Sequence, residues 1–588
     1  MLAGAYSFNS EWNPAPLAQK LAQNAKRFST WQSLKAWDDK QFSCFSIQNN
    51  DGGIKSHHFS SKHYEIFMYG VLPNPMLTAQ ELCRKIDSGD GSHSDILEGM
   101  WVAVIYDRTT ASLYFVTDQL GAVWLYVGIF QRGVLFCNDF GALVSNYPNS
   151  LEIDWDSVLS TLALNYVPNN NTLFHNVKIL PPAQVVKATK GELKPILKFA
   201  KASFGDKYFS IPMEKKFELL DSIWGNSRQI WCTQSSRPVI PLSSGYDSRY
   251  ILAELSQGQN PIRCLTFGHP RSADVLGAKS ICNTQGIPWG HYSPPTIDWD
   301  SWIRNVEILG VTGGFQYISG WADVWLGLLK EQGDCIFLGF LGDALSGKHL
   351  VQSGGSQAQD WAKNWEEWCV SGGWFSDRAG SFFREGIKDK MQLAFRESWE
   401  ELLQNARGGS PHHLAMHLDV RGRQRRFVAA QLNLIGYFSI PSSPFLTHGH
   451  FDFWFNVPFE DLRDQNLYKA YAHSRFPQLF QPEKAPTIFQ RVIGTGKNFV
   501  ADVIPGAKDF LLPSELNEGK MMLTQREEIV RLVEQVSPLL EQIFRVAPLL
   551  EQIRKFPQTP SLNAIQLSRL INLSIILRLG ISSYKPGI

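Results

Sequence analysis

The sequence predicts an α+β domain built on antiparallel sheets, followed by an α/β domain with a parallel sheet and extra helices. Short apolar runs separated by polar turns dominate about the first 200 residues. Strand-like and helix-like segments then alternate, and helical patterns dominate the last third. Consecutive strands with short turns are typical of antiparallel sheets, whereas strand–helix alternation is typical of parallel ones. The length of 588 residues is sufficient for two to four domains.

Composition and charge exclude several classes of protein. Apolar residues make up 44% and charged residues 19%, and 56 Lys and Arg face 55 Asp and Glu. A nucleic-acid-binding protein usually has a basic surplus, so none is predicted. No apolar run reaches the roughly 18 residues of a membrane span, and no secretory signal precedes the first strand. The eight cysteines show no CxxC spacing, which predicts reduced core residues in a cytoplasmic protein.

The first domain is predicted from runs such as 100–107 and 111–117, which are apolar and joined by a polar turn. Near residue 205 the pattern turns polar, and helical spacing begins soon afterwards. We therefore place the first domain at residues 1–205 and the second at residues 206–588.

The second domain begins with alternating elements. Residues 239–242, 262–267 and 335–338 are predicted strands, and 249–257 and 273–284 are predicted helices. Further predicted helical segments include residues 414–434 and 525–554.

A stretch of small residues and one acid follows the first of these strands: Ser243-Ser244-Gly245-Tyr246-Asp247-Ser248. Ligands of parallel sheets bind beyond the carboxyl ends of strands, where backbone amides and a helix N-terminus hold phosphate. An acid there would repel phosphate unless a cation lies between them, and Mg²⁺ favours one or two carboxylates plus phosphate oxygens. Asp343, among glycines after strand 335–338, is the expected second acid. The alternative is two ordinary strand-to-helix turns with capping acids.

These stretches resemble those of a known superfamily. Residues 243–248 are similar to the Ser-Gly-Gly-x-Asp-Ser pyrophosphate loop of asparagine synthetases and β-lactam synthetases, and residues 339–343 are similar to their Gly-x-Gly-Ser-Asp element. The resemblance covers roughly residues 1 to 500. Further similar segments are 98–108, 116–121, 165–168, 172–174 and 179–182, in the glutaminase domain, and 444–446, in the synthetase domain.

The resemblance implies a fold and a chemistry. It implies an Ntn-type glutaminase-like sandwich followed by an adenine-nucleotide α-hydrolase-like, pyrophosphate-loop synthetase domain. Members adenylate a carboxylate with ATP and Mg²⁺, and an amine then attacks the acyl-adenylate. The implied metal ligands are Asp247 and Asp343. The implied ATP-binding residues are Pro241, Ser243, Ser244, Gly245, Tyr246, Asp247, Ser248, Phe267, Leu338 and Gly339. Of these, Pro241, Phe267, Leu338 and Gly339 match positions that hold adenosine.

The first domain departs from the family pattern. Glutamine-using members need Cys directly after Met1, but Leu2 stands there and the nearest cysteine is Cys44. Residues 67–70 also lack the family's Asn-Gly pair. We therefore expect a glutaminase fold without glutaminase activity, as in β-lactam synthetase and the lasso-peptide cyclases, which take the amine from their own substrate.

The second domain departs at Phe340, where family members carry Glu or Tyr, because Phe cannot accept a proton. Lys497 is the candidate for the family's late catalytic Lys, with Lys484 as a rival. Asp274 lies where the family often carries an acid. The predicted helix 419–434 is expected to face the same pocket. It carries Arg421, Arg423, Arg425, Arg426 and Gln431, which form either a solvated face or an anion clamp.

The resemblance therefore implies an ATP-dependent carbon–nitrogen ligase that uses a small-molecule or peptide carboxylate, with peptide-processing proteins as partners in the peptide case. The product could be a primary amide, a lactam or an isopeptide, made by sugar-acid amidation or by lasso-peptide or lactam cyclisation. An ATP-binding pseudoenzyme or regulatory protein is the alternative. An RNA thiolase would need a reactive Cys and a basic surface, which the sequence does not show.

Overall fold

The computed structural model describes residues 1–9, 12–26, 30–50, 52–92, 95–199, 203–232, 235–258, 260–293, 299–309, 333–352, 374, 380–404, 410–480, 522–556, 562 and 564–583. In these residues, no helix combines the length and the apolar character that crossing a membrane requires.

The N-terminal region forms two six-stranded antiparallel sheets. Their orders are β10-β8-β9-β1-β3-β2 and β12-β11-β7-β6-β5-β4. In chain order the strands are β1 Leu2–Ser7, β2 Trp31–Asp38, β3 Phe42–Asn49, β4 Ser56–Ser60, β5 Tyr64–Val71, β6 Met100–Asp107, β7 Ser112–Thr117, β8 Tyr126–Phe130, β9 Gly133–Cys137, β10 Val177–Ile179, β11 Gln184–Thr189 and β12 Glu192–Lys198. The two strands predicted at 100–107 and 111–117 are β6 and β7, which pair in antiparallel fashion.

The two sheets pack face to face through aromatic side chains. The Phe42 ring on β3 lies 4.9 Å from the Tyr106 ring on β6, and Phe136 on β9 lies 5.5 Å from Phe115 on β7. Helices cover the outer faces: α1 (Ala15–Asn24) and α3 (Phe140–Ser145) contact the first sheet, and α2 (Pro75–Ser88) contacts the second. The result is a four-layer α+β sandwich, as the sequence predicts.

The C-terminal region contains a parallel sheet in the order β15-β14-β13-β16-β17. Its strands are β13 Pro238–Pro241, β14 Arg263–Phe267, β15 Trp289–Tyr292, β16 Cys335–Phe337 and β17 Ile440–Ser442. The next helix along the chain, α4 Trp155–Leu164, still belongs to the N-terminal region. The first helices of the C-terminal region are α5 Met213–Trp231, α6 Tyr246–Leu255 and α7 Ala273–Gln285. Helix α6 begins three residues before the predicted start at residue 249, because Gly245 is extended and serves as its N-cap.

The remaining described residues are mainly helical, as predicted. Two short 3₁₀ helices span Asp95–Leu97 and Arg463–Gln465, and a π-helix spans Leu418–Val428. The α-helices are α8 Trp299–Leu309, α9 Gly342–Leu345, α10 Lys348–Gln352, α11 Ile387–Gln404, α12 Pro411–His417, α13 Ala430–Ile435, α14 His448–Trp454, α15 Phe459–Leu462, α16 Asn466–Arg475, α17 Arg526–Gln535, α18 Ser537–Leu540, α19 Val546–Lys555 and α20 Ala564–Ser583. The helical segment predicted at 525–554 is thus divided into three.

Hydrogen bonds join the sandwich to the helical region. The Asn433 side chain accepts from the Trp124 N–H (2.9 Å) and donates to the Ala122 carbonyl (2.8 Å). From α20, Arg569 donates to the Leu162 carbonyl at 2.8 Å and also to that of Ala163. Because these bonds use backbone groups of the sandwich, the two regions are fixed against each other at the β17 side of the parallel sheet and at the C-terminal helix.

Candidate active site

Two loops leave the same edge of the parallel sheet and meet. Strands β13 and β16 pair in parallel, with Val239 opposite Ile336. Asp247 lies in the first turn of α6, just past the loop that follows β13, and Asp343 lies in the first turn of α9, just past the loop that follows β16. The backbone N–H of Asp343 donates to Asp247 Oδ2 at 3.0 Å. The structure therefore brings together the two acids that the sequence analysis selected as metal ligands.

Glycines allow this close approach. A Cβ at Gly339 would lie 2.6 Å from Asp247 Cβ, and a Cβ at Gly342 would lie 2.4 Å from Asp247 Cγ. Real Cβ atoms do not come so close to other heavy atoms, so the glycines of the 339–343 segment are required by the position of Asp247.

The two carboxyl groups repel each other electrostatically. Burial and the nearby Asp343 raise the pKa of Asp247 well above its usual range. The Tyr468 hydroxyl donates to Asp247 Oδ1 at 2.7 Å, and Lys348 Nζ lies 2.6 Å from Asp343 Oδ2. Burial lowers the pKa of Lys348, but Asp343 outweighs burial and raises it. A divalent cation between the two acids would remove their repulsion.

The donor set suits Mg²⁺ accompanied by phosphate. The described residues contain no cluster of three or more His, Cys, Asp or Glu side chains that could hold a metal by themselves. Mg²⁺ commonly binds through one or two carboxylates and completes its octahedron with water and phosphate oxygens. Asp247 and Asp343 fit this requirement.

Side-chain oxygens accept hydrogen bonds from the backbone N–H groups of the predicted phosphate loop. The Ser243 N–H donates to Ser248 Oγ (3.1 Å), and the Gly245 N–H donates to Ser243 Oγ (3.1 Å). Asp274 accepts from both the N–H (2.8 Å) and the hydroxyl (2.5 Å) of Ser244. The loop is thus held in shape by three hydroxyls and one acid, and Asp274 contacts the loop directly.

A cavity of about 300 Å³ lies beside the two acids. Its lining comes from the Asp247 and Asp343 loops, α10, the π-helix and α13. The lining residues are Asp247, Leu338, Gly339, Phe340, Leu341, Asp343, Ala344, His349, Arg423, Gln424, Val428, Gln431 and Leu432.

The predicted adenosine-contacting residues divide into two groups. Leu338 and Gly339 line the cavity, whereas Pro241 and Phe267 end the neighbouring strands β13 and β14 without lining it. Tyr246 also lies outside the cavity lining, because its ring packs on Phe480 (5.2 Å between centroids). Both candidate catalytic lysines, Lys497 and Lys484, lie outside the described residues.

The structure adds side chains that the sequence analysis did not select. His349 and Gln424 line the cavity, and both contact Asp419. Tyr468 contacts Asp247, and Gln465 Nε2 lies 3.3 Å from Asp343 Oδ1. Only Lys348 and His349 had a sequence signal, because they follow Asp343 by five and six residues in the sequence.

Three of the four arginines in the arginine-rich segment differ from both interpretations offered for them. Arg421, Arg425 and Arg426 are buried and donate to the backbone carbonyls of Gln119, Leu180 and Val167, respectively. They are therefore neither a solvated face nor an anion clamp. They join the π-helix to the sandwich, and only Arg423 lines the cavity.

The N-terminal end of β1 provides little space for a substrate. Leu2 is fully buried, and the Met1 α-amino group donates to the Ile47 carbonyl at 2.6 Å. The adjacent cavity, walled by Trp31, Tyr69 and Tyr437 among others, has a volume of about 10 Å³. That volume holds one water molecule at most. Burial raises the pKa of the Cys44 thiol, which makes this sulfur a poor nucleophile.

Comparison with known proteins supports the character of the first region. Residues 86–199 match the family model of a glutamine amidotransferase domain, a segment that includes β6 to β12. The chain therefore carries a glutaminase-like N-terminal domain. No curated protein matches the sequence.

Among solved structures, the chain is similar to glutamine phosphoribosylpyrophosphate (PRPP) amidotransferase from B. subtilis complexed with ADP and GMP. The identity is 8%, the similarity covers 51% of this chain and 66% of that chain, and the TM-score is 0.22. A similarity of this degree supports no inference about the C-terminal region.

Proposed function

We propose that the protein is an ATP-dependent amide-bond-forming ligase of the asparagine synthetase type. It adenylates a carboxylate, releases pyrophosphate and couples the acyl group to an amine. The observation that carries the proposal is the meeting of Asp247 and Asp343 at the ends of β13 and β16, beside a serine-rich loop at the start of α6.

Residues of the chain have distinct tasks in this proposal. Ser243 and Ser248 exchange their mutual hydrogen bonds, and Ser244 exchanges its bonds to Asp274, for bonds to phosphate oxygens of ATP. Asp247 and Asp343 hold Mg²⁺, which when bound supplies positive charge to the pyrophosphate leaving group. Leu338 and Gly339 contact adenosine.

The amine comes from a substrate other than glutamine. The β1 end has no thiol, its cavity is too small for an amino acid, and Cys44 is buried. The carboxylate is a small molecule or a peptide, and the product is a primary amide, a lactam or an isopeptide of specialised biosynthesis. A peptide substrate would bring peptide-processing proteins as partners.

Phe340 favours a second candidate function, an ATP-binding pseudoenzyme or regulatory protein. Its side chain is buried at the cavity wall and offers no proton acceptor where family members have one. Such a protein would bind Mg²⁺–ATP without forming AMP.

The test combines purified protein, Mg²⁺–ATP and a panel of carboxylates and amines. The carboxylates are amino acids, uronic acids and a peptide extract, and the amines include ammonia and lysine. AMP and pyrophosphate are measured, and products are identified by mass spectrometry. We expect AMP and pyrophosphate in equal amounts, with a product that either has lost water or has exchanged OH for NH₂.

Two variants and one control define the result. Asp247→Ala and Asp343→Asn are expected to abolish AMP formation, whereas His63→Gly, at an exposed turn of the sandwich, is expected to leave it unchanged. Unchanged AMP formation in Asp247→Ala would remove the site assignment. Binding of Mg²⁺–ATP without AMP from any substrate pair would establish the pseudoenzyme.

A further inference from the structure

A histidine–aspartate pair lines the cavity next to the two acids. His349 Nδ1 lies 2.6 Å from Asp419 Oδ2, and the Asp419 side chain is almost fully buried. Gln424 Nε2 donates to the other carboxylate oxygen at 3.1 Å. His349 follows the Asp343 loop on α10, whereas Asp419 and Gln424 belong to the π-helix. Two separate elements thus place an oriented imidazole in the cavity.

The side chains around Asp419 favour its ionised form. Burial opposes ionisation, but His349, Arg423 and Gln424 outweigh burial and lower the pKa of Asp419. An ionised Asp419 accepts the proton on Nδ1, so Nε2 becomes the nitrogen of the ring that can accept a proton. The two cationic side chains near the cavity are each close to an acid: Lys348 pairs with Asp343, and Arg423 lies 3.7 Å from Asp419.

We propose that His349 is the general base for the amine, with Asp419 as its positioning residue. The proposal rests on the proposed ligase function, and it explains how the reaction proceeds with Phe340 in place of a Glu or Tyr. As the amine nitrogen bonds to the acyl carbon, its proton passes to His349 Nε2. The acyl–oxygen bond then breaks and AMP leaves with that electron pair. The balance is acyl-adenylate plus amine to amide, AMP and one proton.

The test separates the two half-reactions. Attack of an ionised carboxylate on ATP needs no base, whereas attack by an amine does. His349→Gly and Asp419→Asn are therefore expected to keep pyrophosphate–ATP exchange within about threefold of wild type. Amide formation is expected to fall by about 10²–10⁴-fold. Added imidazole should restore amide formation in His349→Gly but not in Asp419→Asn. His63→Gly, tested with and without imidazole, is the matched control.

The outcomes distinguish the base from the ligase function itself. If wild type shows no pyrophosphate exchange with any carboxylate of the panel, the proposed function fails and this inference fails with it. If wild type exchanges but both variants form amide at the wild-type rate, His349 is not the base and the ligase function stands. The base assignment also fails if folded His349→Gly loses exchange and amide formation equally and imidazole restores neither.

Discussion

Gly339 and Gly342 determine how closely the two acidic loops approach each other. Each glycine leaves space that the Asp247 side chain occupies. A Cβ added at Gly339 would lie 2.6 Å from Asp247 Cβ, and one added at Gly342 would lie 2.4 Å from Asp247 Cγ. The sequence analysis explained these glycines through a family motif, and the structure supplies the steric reason. His349 is the opposite case, because its partner Asp419 is 70 residues away and no local pattern connects the two.

Substituting Gly342 by Ala should displace the Asp247 carboxyl group. We expect Gly342→Ala to lower the free energy of unfolding by about 1–3 kcal/mol through overpacking. It should also abolish the stabilisation by Mg²⁺–ATP that the proposed function requires. Thermal unfolding with and without Mg²⁺–ATP measures both effects.

Gly225→Ala on α5 is the matched control, since the nearest atom to a Cβ there is Arg228 Nη2 at 4.0 Å, an ordinary van der Waals distance. It should stabilise the protein by up to about 1 kcal/mol and leave the nucleotide response unchanged. An intact Mg²⁺–ATP response in Gly342→Ala would contradict the role given to the position of Asp247.

At the scale of elements, the π-helix Leu418–Val428 has two functional faces. Its hydrogen bonds connect residues five apart, as from the Ala429 N–H to the Gln424 carbonyl (2.8 Å), so residues four or five apart share a face. Arg421, Arg425 and Arg426 consequently face the sandwich. Residues 419, 424 and 428 lie on the cavity side. The sequence analysis treated the arginines as one run and did not anticipate that three of them are buried against the sandwich.

Removing one of these buried arginines should weaken the contact between the regions. Arg426 donates to the carbonyls of Val167 (3.0 Å) and Asn171 (2.8 Å). We expect Arg426→Met to lower the free energy of unfolding by about 2–4 kcal/mol, because one buried and one partly buried carbonyl lose their donor. Hydrogen exchange should also become faster in the π-helix and in the loop after α4.

Arg423→Met provides the comparison on the same helix. The Arg423 side chain is partly exposed and its ion pair with Asp419 is 3.7 Å long, so we expect a loss below about 1 kcal/mol. Equal losses in the two variants would show that burial against the sandwich does not set the contribution of these arginines.

At the scale of the whole molecule, the sandwich and the parallel sheet are connected through the wall of the cavity. The π-helix binds carbonyls of the sandwich on one side and contributes Arg423 and Gln424 to the cavity on the other. Arg421 donates to the Gln119 carbonyl in a loop of the sandwich that Asp118 holds in shape. The Asp118 carboxyl group accepts from four backbone N–H groups, and burial raises its pKa to about 6. The sandwich therefore has a structural task at the wall of the cavity.

The pH dependence of folding should reveal a buried acid on α6. Burial raises the pKa of Glu254 from 4.5 to about 7, despite its ion pair with Arg228. The folded protein therefore holds this proton more tightly than the unfolded chain does, and stability decreases as pH rises from about 4.5 to 7. The contribution is about 3 kcal/mol. Urea unfolding at several pH values should show that Glu254→Gln removes this decrease.

Glu218→Gln, at an exposed position of α5 whose ion pair with Lys215 is also exposed, should leave the pH dependence unchanged. If Glu254→Gln and wild type lose stability equally between pH 4.5 and 7, Glu254 does not titrate in this range.

The sequence by itself determined that an antiparallel domain precedes a parallel one. It also identified the two segments that carry the acids Asp247 and Asp343. Short apolar runs joined by polar turns, strand–helix alternation and the residues after each strand are local signals, so they can be recognised without coordinates. Only the tertiary structure decided which residues share the cavity. The pairing of His349 with Asp419, of Tyr468 with Asp247, and of the π-helix with the sandwich depends on contacts across 70 to 302 residues of chain. Such contacts are selected by packing, which leaves no pattern in the neighbouring sequence.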